Sequence, residues 1–306
     1  MELHCIAARS GKLSSFLQRE LRCSSSFIHK TKWLQCFYVN GVPQRTNYIV
    51  SPGEEIRVPI VEPTPDYPAE AGPLDILYED EAVIALDKPA GLLMHPSFHR
   101  NTGTLANYLA GYYRTTEQAC AVHPVSRLDR DTFGVVLLAK NAYTHALLCQ
   151  SLQAGLLQKT YHALVWGGPV RDAGVIDKPI ARLPKPSLLR CVAADGQRAV
   201  TRYRVLDRRD GCSLLELEPV TGRTHQLRVH CADGGFPILG DPQYGTPASQ
   251  AVSAQRGFST QQLCAARLIF PHPMTGAAIT LHSRRSVSLF PANFSGSPCQ
   301  ERKLDV

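Results

Sequence analysis

The chain has 306 residues, 44% of them hydrophobic, which is enough for two domains with full hydrophobic cores. No apolar run approaches the length of a membrane span, the first residues lack a charged-then-apolar signal pattern, and the ten cysteines are scattered without a Cys-x-x-Cys pair. We therefore expect a cytoplasmic protein with free thiols and no membrane partner. The formal net charge of +7 favours a polyanionic partner such as nucleic acid, without establishing one.

Residues 1–60 are predicted to form a small, separate domain with helices and strands. Apolar residues at helical spacing predict a first helix over residues 13–21, and the serines at 24–26 supply an N-cap for a second helix that continues through Leu34. Strands are then predicted over residues 36–39 and 54–58, and tight turns at Asn40-Gly41 and Pro52-Gly53.

This pattern of two short helices, then strands with a Val-Asn-Gly turn, resembles the S-four-like RNA-binding module, which is named after a ribosomal protein. In that module the second helix and the turn after it face RNA. The basic residues placed to do so here are His29, Lys30, Lys32 and Arg45. Such a module would supply affinity rather than target choice, because phosphate contacts position RNA without reading its sequence. A solvated basic face is the alternative interpretation of these side chains.

A proline-rich stretch over residues 61–73 is predicted to be a semi-rigid linker, and a second domain is expected over residues 74–290, followed by a tail at 291–306. The second domain opens with a predicted hairpin over residues 76–86. The remaining elements are predicted from apolar periodicity as helices over residues 105–113 and 141–157 and strands over residues 135–139, 159–166, 201–206, 213–217, 263–270 and 277–282.

The central stretch of the chain places Asp129 between two arginines, in a loop just before the apolar strand at 135–139. The positive charge of Arg127 and Arg130 favours the ionised carboxylate. A carboxylate held in a basic cleft can attack carbon or stabilise a cation, although an aspartate in a turn more often only bonds its own backbone.

The same stretch resembles the signature of the RluA-type pseudouridine synthases, an Arg-Leu-Asp-x-x-Thr-Ser-Gly segment that is usually preceded by His. The residues that match it are Arg127, Leu128, Asp129, Thr132 and Gly134. Ser126 and Phe133 stand where the family usually has His and Ser, so these two departures concern the shape of the pocket more than its chemistry. The resemblance covers residues 12 to about 282.

Two further segments carry the resemblance. Tyr161 lies in a Lys-x-Tyr-x-Ala segment, and Arg228 lies in a segment that matches Gly-Arg-Thr-His-Gln-x-Arg-x-His. Without the family, Tyr161 would be interpreted as a core residue and Arg228 as a surface ion pair. Thr224 is placed to cap a helix that runs through Arg228, and Arg223, five residues before it, points elsewhere and could hold a phosphate.

The resemblance implies an α+β fold with a mixed, largely antiparallel sheet flanked by helices and loops. It implies an isomerase for RNA modification that converts uridine to pseudouridine after flipping the base out of its stack. Asp129 would attack the sugar or promote loss of uracil, and Arg228 would pair with that carboxylate and keep it ionised. Arg127 would occupy the gap left by the flipped nucleotide, unless it is simply a structural partner of Asp131. Tyr161 would stack on the base and take part in the final proton transfer.

Other enzyme classes lack their motifs. The spacing of the 11 histidines fits no zinc site, so we expect no metal, and we find no phosphate loop, dinucleotide-binding glycine motif or Gly-x-Ser-x-Gly elbow, so we expect no cofactor. The rival hypothesis is an inactive RNA-binding protein of the same fold that acts in ribosome assembly or RNA folding. The expected RNA is large-subunit ribosomal RNA or transfer RNA, in rRNA or tRNA processing. We expect a monomer with no obligatory protein partner.

Overall fold

The structure is a computed structural model that describes residues 1–34, 36–60, 67–97, 100–184 and 186–287. The first part of the predicted linker, the side chain of Lys30, and the predicted tail at 291–306 lie outside what is described. Contacts between residues divide the chain into two compact units, one built from Met1–Tyr161 with Cys264–Arg285 and one built around His162–Leu263. Within the described ranges, no helix is long and apolar enough to cross a membrane.

The strands are β1 (Glu2–Ile6), β2 (Gly11–Lys12), β3 (Tyr38–Val39), β4 (Val42–Pro43), β5 (Ile49–Val50), β6 (Glu55–Pro59), β7 (Ile76–Glu79), β8 (Val83–Lys88), β9 (His123–Pro124), β10 (Phe133–Ala139), β11 (Gln158–Trp166), β12 (Ala173–Asp177), β13 (Ile180–Arg182), β14 (Arg190–Val192), β15 (Val200–Arg209), β16 (Cys212–Pro219), β17 (Leu263–Pro271) and β18 (Ala278–His282). The helices are α1 (Leu13–Arg19), α2 (Ser25–Thr31), α3 (Leu105–Thr115), α4 (Ala142–Gln153), α5 (Gln226–Asp233) and α6 (Pro247–Gln255), with a 3₁₀ turn over Lys32–Leu34.

The N-terminal part of the first unit is a small antiparallel sheet in the order β1-β6-β3-β4, with α1 and α2 beside it in one core. The predicted turn joins β3 to β4: Asn40 and Gly41 have φ angles of 49° and 79°, which two-residue hairpin turns require. Ser24 caps α2 as predicted, since its hydroxyl accepts the Phe27 N–H at 3.1 Å.

The second helix is shorter than predicted. α2 ends at Thr31, whose hydroxyl donates back to the Phe27 carbonyl at 2.8 Å, and the chain tightens into the 3₁₀ turn before Leu34. Back-bonding of this kind competes with the regular helix ladder. One consequence is that Trp33 lies at the surface, 78% exposed.

The rest of the first unit is built on a sheet in which β8 pairs antiparallel with both β7 and β10, and β10 pairs in parallel with β17. The predicted hairpin of β7 and β8, the strand β10 and the strand pair β17–β18 are therefore confirmed. The helix predicted over residues 141–157 ends earlier, at Gln153, because Gly155 turns the chain with a φ of 72°.

The second unit contains an antiparallel sheet of β12, β15 and β16. The strands β15 and β16 are longer than predicted but meet at the predicted turn, where Asp210 and Gly211 have positive φ angles. The β13–β14 hairpin, β12 and α6 were missed by the sequence analysis. Together the two units confirm the α+β class with a mixed, largely antiparallel sheet.

Candidate active site

Asp129 lies half-buried on the loop between β9 and β10. The Thr132 N–H donates to the Asp129 carbonyl at 3.2 Å and closes a turn, and Thr132 itself is buried. Leu128, 7% exposed, anchors the other side of the aspartate in the apolar interior. The carboxylate is thus carried by a short turn that is fixed on both sides, as the position before a rigid strand predicted.

Gly134 fixes where this loop joins the sheet. Its φ is 107°, and a Cβ atom at this position would lie 2.4 Å from the Ala265 carbonyl oxygen of the parallel neighbour β17. Only glycine allows both the backbone conformation and this close approach. The glycine of the signature is therefore needed to bring β17 against the start of β10, directly after the loop that carries Asp129.

Lys88, at the end of β8, is hydrogen-bonded to the loop that carries Asp129. Its side chain is fully buried, and the Nζ atom donates to the carbonyls of Arg130 at 2.7 Å, Leu92 at 2.8 Å and Pro89 at 2.9 Å. Burial lowers the pKa of this ammonium to about 8, against the nearby negative charges of Asp131 and Asp129, which raise it. The sequence analysis assigned Lys88 no role; the available signal was a lysine that directly follows the apolar run of β8 and Asp87.

The arginines beside the aspartate have different partners. Arg130 forms a two-point ion pair with Asp131, with N–O distances of 3.0 and 2.8 Å. Arg127 is exposed and makes no hydrogen bond or ion pair with any residue in the described ranges, so the alternative that it serves as the partner of Asp131 is not the arrangement seen. Burial, and next the positive charge of Arg127, lower the pKa of His95, whose Nδ1 atom is buried without a hydrogen-bond partner in the described part.

Tyr161, 9% exposed, lies on β11 in the same unit as Asp129. Burial, and next the negative charge of Asp129, raise the pKa of its phenol, so the two side chains are close enough to interact electrostatically. The hydroxyl makes no hydrogen bond with any described residue. A buried phenol with an uncommitted hydroxyl beside a carboxylate can contact a flipped base and exchange a proton at its edge.

Arg228 lies on α5 in the second unit and is held by a buried ion pair. Its guanidinium bonds both carboxylate oxygens of Asp241, at 2.7 and 2.8 Å, and also bonds Gln243 Oε1 at 2.7 Å. Arg228 and Asp241 are 4% and 2% exposed. The Arg228 guanidinium also stacks 4.9 Å from the ring centre of Tyr244. Its orientation is thereby fixed by charge, hydrogen bonds and stacking together.

The predicted Thr224 cap is wrong. α5 begins at Gln226, and its N-cap is His225, which has a φ of 57° and makes no capping hydrogen bond through its side chain. The Gln226 side chain serves this turn instead, accepting the Arg223 N–H at 3.0 Å and the Thr221 hydroxyl at 2.8 Å. The left-handed backbone at His225 reverses the chain, which leaves Thr224 exposed.

The other predicted binding residues lie at the surface. Arg223 is exposed, with Nε bonded to the Arg198 carbonyl at 3.0 Å and Nη1 bonded to Gln197 Oε1 at 3.1 Å. In the N-terminal part, His29 and Arg45 are exposed and the Lys32 ammonium lies 4.8 Å over the ring of Trp33. Among the described residues, no group of three or more His, Cys, Asp or Glu side chains is arranged to hold a metal ion.

Comparison with solved structures defines the class of protein. The fold matches human RNA pseudouridylate synthase domain containing 1, with a TM-score of 0.58, 23% identity and coverage of 71% of this chain and 86% of that one. It also matches human RNA pseudouridylate synthase domain containing 4, with a TM-score of 0.56, 26% identity and coverage of 68% and 87%. The architecture is thus that of a pseudouridine synthase.

Sequence comparison gives the family. Residues 82–233 match the family described as RNA pseudouridylate synthase. The uncharacterized RNA pseudouridine synthase YhcT of Bacillus subtilis (strain 168) is 36% identical over 87% of both chains. Ribosomal large subunit pseudouridine synthase D of Xanthomonas campestris pv. campestris is 38% identical over 79% of this chain and 75% of its own length. The chain belongs to the RNA pseudouridine synthase family, and is an isomerase that acts on RNA.

Proposed function

We propose that the chain isomerises specific uridines in structured RNA with Asp129 as the catalytic carboxylate. The observation that carries this assignment is the way Asp129 is held: half-buried, on a turn closed by Thr132, with the next residue's carbonyl bonded by the buried ammonium of Lys88. A carboxylate fixed in this way is positioned either to attack the sugar or to take a ribose proton and promote loss of uracil.

The surrounding side chains supply the other steps. Arg127, which is exposed and uncommitted among the described residues, stacks in the gap left by the extruded nucleotide. Tyr161 packs on the detached uracil while it rotates, and its hydroxyl takes part in removing the proton from carbon 5. Arg228 keeps the role that the resemblance gives it, as the basic residue that pairs with Asp129, in addition to its ion pair with Asp241.

RNA binding outside the active site is assigned to the N-terminal residues. We place an S-four-like domain at residues 1–60, a linker at 61–73, the catalytic domain at 74–290 and a tail at 291–306. His29, Lys32 and Arg45, together with Lys30, provide the basic face, and the first three make no ion pair with a described residue. We further propose a monomer that acts in the cytoplasm without an obligatory protein partner.

Large-subunit ribosomal RNA is the favoured substrate, because relatives from Xanthomonas campestris and Nitrosomonas europaea, 38% and 37% identical to this chain, carry the name ribosomal large subunit pseudouridine synthase D. Transfer RNA is the second candidate substrate. The two RNAs differ in size and are separated before analysis, so one experiment decides between them.

The test is pseudouridine mapping on separated ribosomal and transfer RNA from cells that lack the protein, complemented with wild type, Asp129→Asn or the control Asp172→Asn. Asp172 is an 86%-exposed surface residue paired with Arg208. We expect sites that are restored by wild type and by the control but not by Asp129→Asn, with RNA binding retained by all three. Restoration by Asp129→Asn, or no lost site at all, would contradict the assignment.

A further inference from the structure

The β13–β14 hairpin of the second unit places two arginines face to face. Arg182 and Arg190 are direct partners in the antiparallel register of the two strands. Like charges directly opposite each other on neighbouring strands repel and destabilise the pair. A sequence that keeps both therefore indicates that something outside the hairpin compensates their charge.

Neither arginine is neutralised within the described residues. Arg182 Nε donates to the Ser187 carbonyl at 3.4 Å, and Arg190 Nη1 donates to the carbonyls of Leu188 at 3.1 Å and Leu189 at 3.3 Å. Carbonyl oxygens orient a guanidinium without cancelling its charge, and no carboxylate in the described ranges lies within ion-pair distance of either side chain. The remaining N–H groups of both forks stay available to an anion.

The hairpin forms one wall of a cleft of about 460 Å³ whose other wall carries Arg223 and Thr224. Arg223 is also held by neutral partners, the Arg198 carbonyl and Gln197 Oε1. Among the described residues that line the cleft Asp195 is the one acid, and it is exposed and forms no ion pair with any of them. Three arginines against one aspartate make this a cleft for a strongly anionic ligand.

The lining also indicates which anion. Guanidinium forks match phosphate oxygens in two-point geometry, and the Thr224 hydroxyl adds a further donor. No aromatic side chain of the described residues lines the cleft, so these residues offer no stacking surface for a base. The arrangement fits a sugar–phosphate backbone that is held without reading its bases.

We propose that Arg182, Arg190 and Arg223 form a phosphate-binding cleft that grips the RNA backbone outside the active site. This inference rests on the proposed function, since it takes RNA as the ligand. The hairpin is tied to the wider site of the second unit: the Arg190 N–H donates to the Tyr244 hydroxyl at 2.9 Å, and the ring of the same tyrosine stacks on Arg228. The hairpin therefore contacts the same tyrosine that stacks on Arg228.

The experiment measures binding of in-vitro transcribed large-subunit ribosomal RNA by fluorescence anisotropy. The KCl concentration is varied from about 50 to about 200 mM, a range over which the affinity for RNA depends steeply on salt. The variants are the double substitution Arg182→Gln with Arg190→Gln and the control Arg204→Gln. Arg204 lies on β15 and is already neutralised by Glu216 at 2.9 Å. We expect the double variant to bind about tenfold more weakly at 0.1 M KCl and its log–log salt slope to fall by roughly 1.5 to 2, one phosphate contact per arginine. The control should keep the wild-type slope.

Two further readouts complete the test. In the absence of RNA, the double variant should melt at the wild-type temperature or above it, because a repulsive pair has been removed. An unchanged salt slope, or a marked loss of melting temperature, would overturn the cleft by showing that the arginines do not bind phosphate or that they serve the fold. Single-turnover pseudouridine formation by wild type is measured on the same RNA. Its absence would count against the proposed function, whereas the salt slopes and the melting temperature of the double variant decide the cleft.

Discussion

Lys88 Nζ donates a hydrogen bond to the Arg130 carbonyl at 2.7 Å, so a buried ammonium at the end of one strand holds the loop that carries Asp129. The same nitrogen also bonds two carbonyls of its own loop, those of Pro89 and Leu92. All three of its donors are thereby used within the protein, so we expect Lys88 to position the loop rather than to touch substrate.

Replacing Lys88 by methionine should loosen the loop that carries Asp129. The substitution preserves much of the volume but leaves three partly buried carbonyls without their donor, at about 1 to 3 kcal/mol for an unsatisfied buried group and less where water reaches the oxygen. We expect the melting temperature to fall by roughly 2 to 6 °C and kcat to fall more than KM rises. A variant that melts lower but keeps the wild-type kcat would show that Lys88 serves the fold without positioning Asp129.

The pKa of Lys88 gives a pH dependence. Burial lowers it to about 8, while the unfolded chain keeps the ordinary value near 10.5, with Asp131 and Asp129 as the facing charges. Between these two values the unfolded state binds more protons, so wild type should gain stability relative to Lys88→Met as the pH rises from about 8 to 10.5. The single-turnover rate of wild type should begin to fall as the pH rises above about 8, because the neutral amine of Lys88 donates only two hydrogen bonds. Urea unfolding and rate profiles of both proteins check this. A stability difference that does not change with pH would contradict the shift.

Gly134 can be tested against a matched glycine. Gly134→Ala places a Cβ atom 2.4 Å from the Ala265 carbonyl oxygen and strains a backbone at φ 107°, whereas Gly91→Ala meets no atom within 4 Å and strains only a φ of 82°. We expect Gly134→Ala to lower the free energy of unfolding by about 3 kcal/mol or more and to reduce activity, and Gly91→Ala to lower it by about 1 kcal/mol. Equal losses in urea unfolding would mean that the contact with β17 does not matter.

Tyr161→Phe separates chemistry from packing. The Tyr161 hydroxyl bonds no described residue, so its removal should leave the melting temperature unchanged while kcat falls by roughly 10²- to 10⁴-fold, the usual contribution of a positioned proton-transfer group. Tyr113→Phe is the matched control, because the Tyr113 hydroxyl is buried without a partner in the described part. That control should keep its activity and melt at the same temperature or higher. Full activity of Tyr161→Phe would reduce its role to packing on the base.

The elements with strong periodicity were predictable from sequence, and the partners of the site residues were not. The apolar run before Ala139 and the turn at Asn40-Gly41 follow from local chemistry, so β10 and the β3–β4 hairpin appear where they were expected. Asp129, Tyr161 and Arg228 were singled out as candidates through motif resemblance. The bond from Lys88 to Arg130 spans 42 residues and leaves no local pattern.

The errors have local physical causes. The left-handed backbone at His225 displaced the predicted cap from Thr224, because a non-glycine residue with positive φ is rare enough that sequence does not announce it. The β13–β14 hairpin was missed because its strands are only three residues long, too short to show alternation.

Arg228 and Asp241 allow the structural part of an ion pair to be separated from its functional part. Asp241→Asn leaves a buried guanidinium without its counter-charge and should lower the free energy of unfolding by about 3 to 5 kcal/mol, and Arg228→Met should do the same by stranding the carboxylate. The double variant Arg228→Met with Asp241→Leu removes both charges and should recover most of that stability. If Arg228 acts on the reaction, the double variant remains inactive although it is folded, and urea unfolding with single-turnover assays of all three variants would show this. A double variant that regains both stability and turnover would make the pair purely structural.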